Sequence, residues 1–268
     1  VTRVRDSGAK VVDEVVVEEP MELRVFTLRE DRWVRSPVAI TMRTPGHDFE
    51  LAAGFLYAEG VISSRDDIIN ISYCTDPLEP QQYNVVNVYL APDVEFDPQR
   101  LSRATYTTSS CGVCGKASIE QLKQLGARPV EGAVTISAHQ VEGMVRELTE
   151  AQALYARTGG LHASALFDYE GSLQLIREDV GRHNAMDKLV GALLLRDRLP
   201  AEGVVVISGR ASFELVQKTL LAGIPLLLAV GAPTSLAVQL AEEYGLTLVG
   251  FAREGSFNIY THPERITV

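Results

Sequence analysis

Two of the three cysteines stand together as Cys111-Gly112-Val113-Cys114, followed by Gly115 and Lys116. A C-x-x-C pair is suited to sulfur transfer, thiol–disulfide chemistry or one half of a metal site. Behind it, Ile119, Leu122 and Leu125 recur at helical spacing, so a short helix is expected to start around Cys114. Ahead of it, Ser102 to Thr108 is polar and has no apolar face. The thiols therefore sit on a loop leading into a helix N-terminus. There, unpaired backbone N–H groups and the helix dipole favour negative charge. A cysteine that titrates near about 8.5 in the open falls to roughly 3.5–7.5 in such a setting, which makes it a nucleophile. Lys116 adds positive charge nearby.

Competing uses of the pair fit less well. A structural zinc site takes about four ligands, and Cys74 is the only other cysteine. His47, His139, His162 and His183 are scattered and show no metal-binding spacing near the pair, so no metal site is expected. Thioredoxin-like exchange lacks its strand leading straight into the motif and its aromatic and proline companions. Cys74, at the end of an expected strand, reads as an inert packed thiol.

A second group of residues suits anions. Ser208-Gly209-Arg210-Ala211-Ser212 offers a glycine for close backbone approach, a serine that can cap a helix and an arginine whose fork matches phosphate. Gly231-Ala232-Pro233-Thr234-Ser235 opens another helix, and Phe251-Ala252-Arg253-Glu254-Gly255-Ser256-Phe257-Asn258 follows the last expected strand. Arg182-His183-Asn184, at a helix start, can line the same cleft. None of these is a G-x-G-x-x-G or Walker motif. For any one of them a solvated loop arginine is an equal explanation, but all are expected at one sheet edge, where a nucleotide-like anion would bind. His162 is read as a packed core histidine. Glu178 and Asp179 are read as helix-start caps rather than catalytic carboxylates.

The elements that position these residues follow from periodicity. Residues 1–130 read as a smaller β-rich domain with strands over 14–17, 22–26, 38–43, 68–73 and 85–90. Its one clear helix is capped by Asp48, directs Leu51, Phe55 and Leu56 inward and stops at Gly60. Residues 91–110 are a long connection to the cysteine motif, and the segment from Gly126 to Gly132 marks the boundary. Residues 131–268 read as an α/β domain. Its long first helix carries Val141, Met144, Val145, Leu148 and Leu154 and ends at Gly159-Gly160. A hairpin over 161–167 and 172–176 follows. Helices over 184–195, 212–221 and 234–244 then alternate with strands over 204–208, 225–230 and 246–251. Continuous apolar strands between amphipathic helices imply a sheet covered on both faces.

Composition narrows the partners. The chain has 268 residues, 46% hydrophobic and 22% charged, enough for a sizeable core. Its net charge of −10 disfavours nucleic acid and anionic membrane as partners, without excluding a small anion held by a few arginines. An odd number of cysteines, no apolar leader after Val1 and no long apolar run point to a reducing, cytoplasmic location away from membranes.

With these motifs in place, the sequence resembles the formate dehydrogenase accessory sulfurtransferase family, FdhD, over nearly its whole length. The resemblance rests on Ser109 to Lys116, on Thr158-Gly159-Gly160-Leu161-His162 and on Asp179-Val180-Gly181-Arg182-His183-Asn184-Ala185-Met186-Asp187-Lys188. Ser208-Gly209-Arg210 and Val249-Gly250-Phe251-Ala252-Arg253 also belong to it. It implies a cytidine deaminase-like second domain and a homodimer. It also implies a carrier that takes persulfide sulfur from a cysteine desulfurase. That sulfur would pass to the molybdenum or tungsten bis(guanine dinucleotide) cofactor destined for formate dehydrogenase. By the motif match, Cys111 would carry the persulfide, with Cys114 its partner. Phe251, Ala252, Arg253, Glu254, Gly255 and Ser256 would bind the cofactor, in a cleft to which Arg210 and His183 contribute.

Two rivals follow from the same residues. One is a non-catalytic chaperone for the cofactor. The other is a zinc-dependent, deaminase-like hydrolase, which needs H-x-E or C-x-E at one helix start and P-C-x-x-C at the next. The sequence offers His183 without the glutamate, and Ser208 to Ser212 in place of the thiolates.

Overall fold

A computed structural model describes residues 12–75, 83–98, 122–123, 125–130, 132 and 134–268. Cys111 and Cys114 lie outside the described residues; of the helix expected behind them, Leu122 and Lys123 are described and are helical.

The first half is built on a hairpin. Strand β1 (Glu19–Arg29) alternates buried Met21, Leu23, Val25 and Thr27 with half-exposed neighbours, the period-two signature of a sheet with one covered face. It turns through Glu30 and Asp31, both at positive φ, into β2 (Arg32–Arg43). Two left-handed residues make the tight turn whose twist suits a hairpin. The expected strand over 14–17 is absent, because residues 12–18 form no regular element. Strands β3 (Ile68–Tyr73) and β4 (Val85–Leu90) match their expected ranges. The sheet order is β2-β1-β4-β3, with β1 and β4 parallel.

Helix α1 (Asp48–Ala58) covers the inner face, with Leu51 and Leu56 in the core beside Val86, Val88 and Leu90. Phe55 is only partly buried against that core. Asp48 does not cap this helix. His47, in the left-handed region at φ 58, occupies the N-cap position. Asp48 instead accepts from Arg43 Nε and Nη2, both at 3.0 Å, and from the Tyr73 hydroxyl at 3.1 Å. A buried guanidinium needs a carboxylate more than the helix end needs a cap. Burial and the Asp48 charge push the Tyr73 phenol up to about 12.

The second half is a six-stranded mixed sheet in the order β11-β10-β9-β8-β6-β7. Its strands are β6 (His162–Phe167), β7 (Leu173–Asp179), β8 (Val204–Ile207), β9 (Leu226–Ala229), β10 (Thr247–Arg253) and β11 (Ser256–Ile259). Strands β8, β9 and β10 run parallel, and β6 runs against both β7 and β8. Helices α4 (Arg182–Leu195), α5 (Phe213–Leu221) and α6 (Ser235–Glu243) cover one face. Helix α2 (Ala138–Ala151) covers the other, with Met144 and Leu148 against Ala163, Val206 and Leu228. The two covered faces agree with the sequence expectation.

The single long helix expected to end at Gly159-Gly160 is broken at Gln152 into α2 and α3 (Ala153–Thr158). Glu178 supplies the reason: its carboxylate accepts from the N–H groups of Leu154 and Tyr155, at 3.2 and 3.0 Å, and thereby starts a new helix. Strand β11 was not foreseen, nor was the small pairing of β5 (Ile136–Ser137) with β12 (Ile266–Thr267).

Helix α4 joins the halves. Residues Ala185 to Leu194 are all buried, as for a helix packed on every side. It crosses α1 at Gly54 and Gly191, where backbones touch. A Cβ on Gly54 would lie 1.9 Å from the Asp187 carbonyl oxygen, and one on Gly191 would lie 1.8 Å from that of Glu50. Lys188, 1% exposed, pairs with fully buried Asp179 at 2.6 Å and donates to the Thr44 carbonyl at 2.8 Å. The Thr44 N–H donates back to Asp179 at 3.1 Å. Leu122, ahead of the expected boundary near residue 130, packs into the core beneath α4, α5 and α6.

Candidate functional site

The sheet directions collect chemistry at one edge. Strands β7, β8, β9 and β10 all end there, and the loops after β7, β8 and β9 enter α4, α5 and α6. Strand β6 runs the other way, so its first residue, His162, lies on the same edge. Three helix N-termini therefore point their unpaired N–H groups at one region.

The loops are stacked by glycines. Gly231 N–H donates to the Gly209 carbonyl at 2.9 Å, and Phe251 N–H to the Gly231 carbonyl at 3.1 Å. A Cβ on Gly231 would lie 2.9 Å from the Arg210 nitrogen. Side chains at these positions would push the loops apart.

Around Gly209 stand the charged groups. A Cβ on Gly209 would lie 3.3 Å from His162 Nδ1 and 3.8 Å from Arg182 Cδ. His162 is half-buried, and burial, followed by the charges of Arg182, His183 and Arg210, holds its imidazole below the ordinary histidine range. It is thus a cleft residue and not the packed core histidine expected from sequence. The sequence signal for it was the hairpin, which reverses β6 and places a strand start among strand ends. Arg182 Nε is buried and has no hydrogen-bond partner among the described residues. Arg210 is exposed.

His183 Nε2 lies 3.2 Å from Ser212 Oγ and 3.6 Å from Glu214. Ser212 occupies the N-cap position of α5 but makes no capping bond, since its hydroxyl faces His183. The neighbouring His183 holds the Glu214 carboxyl down to about 2, so this acid stays ionised at neutral pH. Glu214 escaped sequence reasoning, because one acidic residue in a first helical turn is the usual dipole partner.

The expected residues divide. His183 and Arg210 do share the cleft. Asn184 turns away and donates to the Met42 carbonyl at 2.8 Å and to Asp179 at 3.0 Å. Asp179 also accepts from Gly181 N–H at 2.9 Å, but Gly181 and not Asp179 holds the N-cap position of α4, so Asp179 braces the helix start from the end of β7 instead of capping it. The tract Phe251–Ser256 is not a loop. It comprises the end of β10, a turn at Glu254-Gly255 and the first residue of β11. A bulge in the β10–β11 pairing puts Phe251, 41% exposed, at φ 52. The tract lies two strands along the edge from Gly209, about 10 Å at normal strand spacing. Glu254 there reaches Arg146 of α2 at 3.5 Å.

Below the cleft, Lys218 of α5 pairs with buried Asp187 of α4. Among the described residues no group of three or more His, Cys, Asp or Glu has a metal-holding arrangement. No helix among them is long and apolar enough to cross a membrane. The chemistry open to this edge is capture of an anion by two arginines, two imidazoles and helix N–H groups.

Fold and edge together define an α/β protein built on a four-stranded and a six-stranded sheet, with His162, Arg182, His183 and Arg210 gathered at one edge of the larger sheet. The chain belongs to the FdhD/NarQ family, whose model matches residues 16–267. It is 49% identical to the sulfur carrier protein FdhD of Mycobacterium tuberculosis over 276 residues, covering 99% of this chain and 97% of that protein. The sulfur carrier protein FdhD of Saccharolobus solfataricus is 44% identical, over 98% of this chain and 95% of its own. A crystal structure assigned as a formate dehydrogenase accessory protein from Desulfotalea psychrophila superposes with a TM-score of 0.73. It is 26% identical and is covered to 96%, against 98% of this chain.

Proposed function

We propose that this protein is a sulfur carrier in formate dehydrogenase maturation. The Cys111 thiolate attacks the terminal sulfur of a cysteine desulfurase persulfide, the desulfurase leaves as its thiolate, and Cys111 becomes Cys111–S–SH. No external oxidant is needed. Delivery follows when a thiol attacks the inner sulfur of the persulfide: sulfide leaves to the molybdenum or tungsten bis(guanine dinucleotide) cofactor, the cargo, and a disulfide remains at Cys111 for a cellular thiol to reduce. Cys114 acts as relay or resolving thiol. A cytoplasmic homodimer with a cytidine deaminase-like second half belongs to the same reading. The β6–β7 hairpin followed by alternating helices and strands supports that description of the half.

The observation that carries the proposal is the cleft of His162, Arg182, His183 and Arg210, in a chain whose relatives are named sulfur carriers. It suits the pyrophosphate of a dinucleotide cargo, and the edge from Gly209 to Phe251 has the reach for a nucleotide. A cofactor chaperone without sulfur chemistry is the second reading, since the cleft alone would serve it. The zinc hydrolase ranks last, because Ser212 and Glu214 engage the one histidine it would use.

The test is intact mass after incubation with a cysteine desulfurase and cysteine, with no reductant added afterwards. Added sulfur on wild type and none on Cys111→Ala is the expected result. No added sulfur on either, with an active desulfurase, leaves the chaperone.

A further inference from the structure

The motif Thr158 to His162 delivers an imidazole to the strand-end edge, among Arg182, His183 and Arg210. His162 is packed over Gly209, beside the Arg182 side chain. The groups facing it can be named element by element. Helix α4 brings Arg182 and His183, and the loop after β8 brings Arg210. Strand β7 places Asp179 opposite His162 in register, but that carboxylate is committed to Lys188, Thr44, Gly181 and Asn184. The loop after β8 also contributes Ser208, whose hydroxyl accepts from Ala163 N–H at 2.9 Å. Glu214 is engaged with His183. His162 therefore faces an excess of positive charge that no carboxylate among the described residues offsets through a direct contact with its ring.

We propose that His162 is a proton-coupled contact of the cleft: an anion seated among Arg182, His183 and Arg210 draws a proton from solvent onto the imidazole, and the charged ring then holds the anion. This rests on the cleft being the cargo site. The physical reason is reciprocity. The same neighbours that repel a proton in the open cleft stop doing so once an anion neutralises them, and whatever the anion does for the proton the proton does for the anion. Burial and those cations hold the free ring below the usual range, so the uncharged form prevails at neutral pH until the anion arrives. Capture then tightens as pH falls and loosens as it rises, by up to about tenfold per pH unit at one proton per anion.

The probe is diguanosine pyrophosphate, whose phosphates are fully ionised and do not titrate near neutrality. Calorimetry at pH 7 in two buffers of different ionisation enthalpy counts protons taken up on binding, and the imidazole resonances of the wild type, with and without probe, report the ring directly. The expected result is uptake approaching one proton and a steep pH profile in wild type, with a charged His162 resonance in the complex. His162→Gln should still bind, with that uptake lost and a flatter profile. Equal uptake in both proteins, or a His162 resonance unmoved by the probe, overturns the proposal and leaves the cleft as the cargo site. Failure of wild type to bind the probe at any pH removes the cargo site and the proposal with it. If His162→Gln does not fold, the wild-type resonances decide alone.

Discussion

At the scale of the residue, the chain uses charge in two ways that sequence does not distinguish. Arg43, Arg177 and Lys188 are buried with a carboxylate partner each: Asp48, Glu50 and Asp179. Arg182 is left with a buried Nε that no described residue satisfies. The first kind holds the fold; the second, on the proposed function, would hold the anionic cargo. Arg182→Ala should therefore weaken diguanosine pyrophosphate binding by roughly tenfold or more, as expected for about 1.5–3 kcal/mol in a charged hydrogen bond, with little change in Tm. Equal losses of binding and Tm would make Arg182 structural. Glu59, at the end of α1, gives a pH prediction. Burial raises its carboxyl, against the pull of Lys218. The folded state thus favours the protonated acid, whose contribution is present below the unfolded value of 4.5 and is lost as pH rises through the raised native value. Glu59→Gln should raise Tm at pH 8, with the gain shrinking towards pH 4.5. A gain independent of pH would refute the assignment.

At the scale of the element, α4 controls the site. Its first turn bears Arg182 and His183, its second bears Asp187 and Lys188, and its third crosses α1 at Gly191. A shift of α4 moves the cleft. Gly54→Ala gains helix propensity of about 1 kcal/mol, but its methyl would collide with the α4 backbone at 1.9 Å. Overpacking should win, with a net loss of roughly 2 kcal/mol or more in urea unfolding. Gly143→Ala in α2 has nothing within 4 Å of the added methyl and should stabilise instead, by about 0.5–1 kcal/mol. If both variants behave alike, backbone contact is not what Gly54 serves. The same local competition explains the misplaced helix start at Asp48 and the unforeseen break at Gln152. In both, a carboxylate answers a tertiary need, for Arg43 in one case and for the N–H groups of α3 in the other.

At the scale of the molecule, sulfur chemistry and cargo binding are assigned to separate parts of the chain, and the proposed function makes them separable by mutation. Cys111→Ala should lose sulfur uptake by intact mass and keep diguanosine pyrophosphate affinity within about twofold, since RT ln 2 is only about 0.4 kcal/mol. Arg182→Ala should keep sulfur uptake and lose affinity. Loss of both activities in both variants would mean that sulfur transfer and anion capture form one indivisible site.

The sequence by itself was enough for family, mixed α/β class, most strand ranges and the positive character of the loops after β8 and α4's start. These are written in local patterns: period two in β1, continuous apolar runs in β8 and β9, glycine beside arginine at 209–210. It also offers Cys111 and Cys114 as candidate reactive thiols, a reading that lies outside the described residues. What only tertiary structure decided depends on strand direction and on contacts between distant residues. That His162 belongs to the cleft follows from β6 running against its neighbours. That Asn184 leaves the cleft follows from the Met42 carbonyl in the other half. That Phe251–Ser256 is a bulged hairpin follows from pairing with β11, which a seven-residue strand pattern cannot announce. Direction, register and the partner of a buried charge are properties of two segments at once, so no single stretch of sequence contains them.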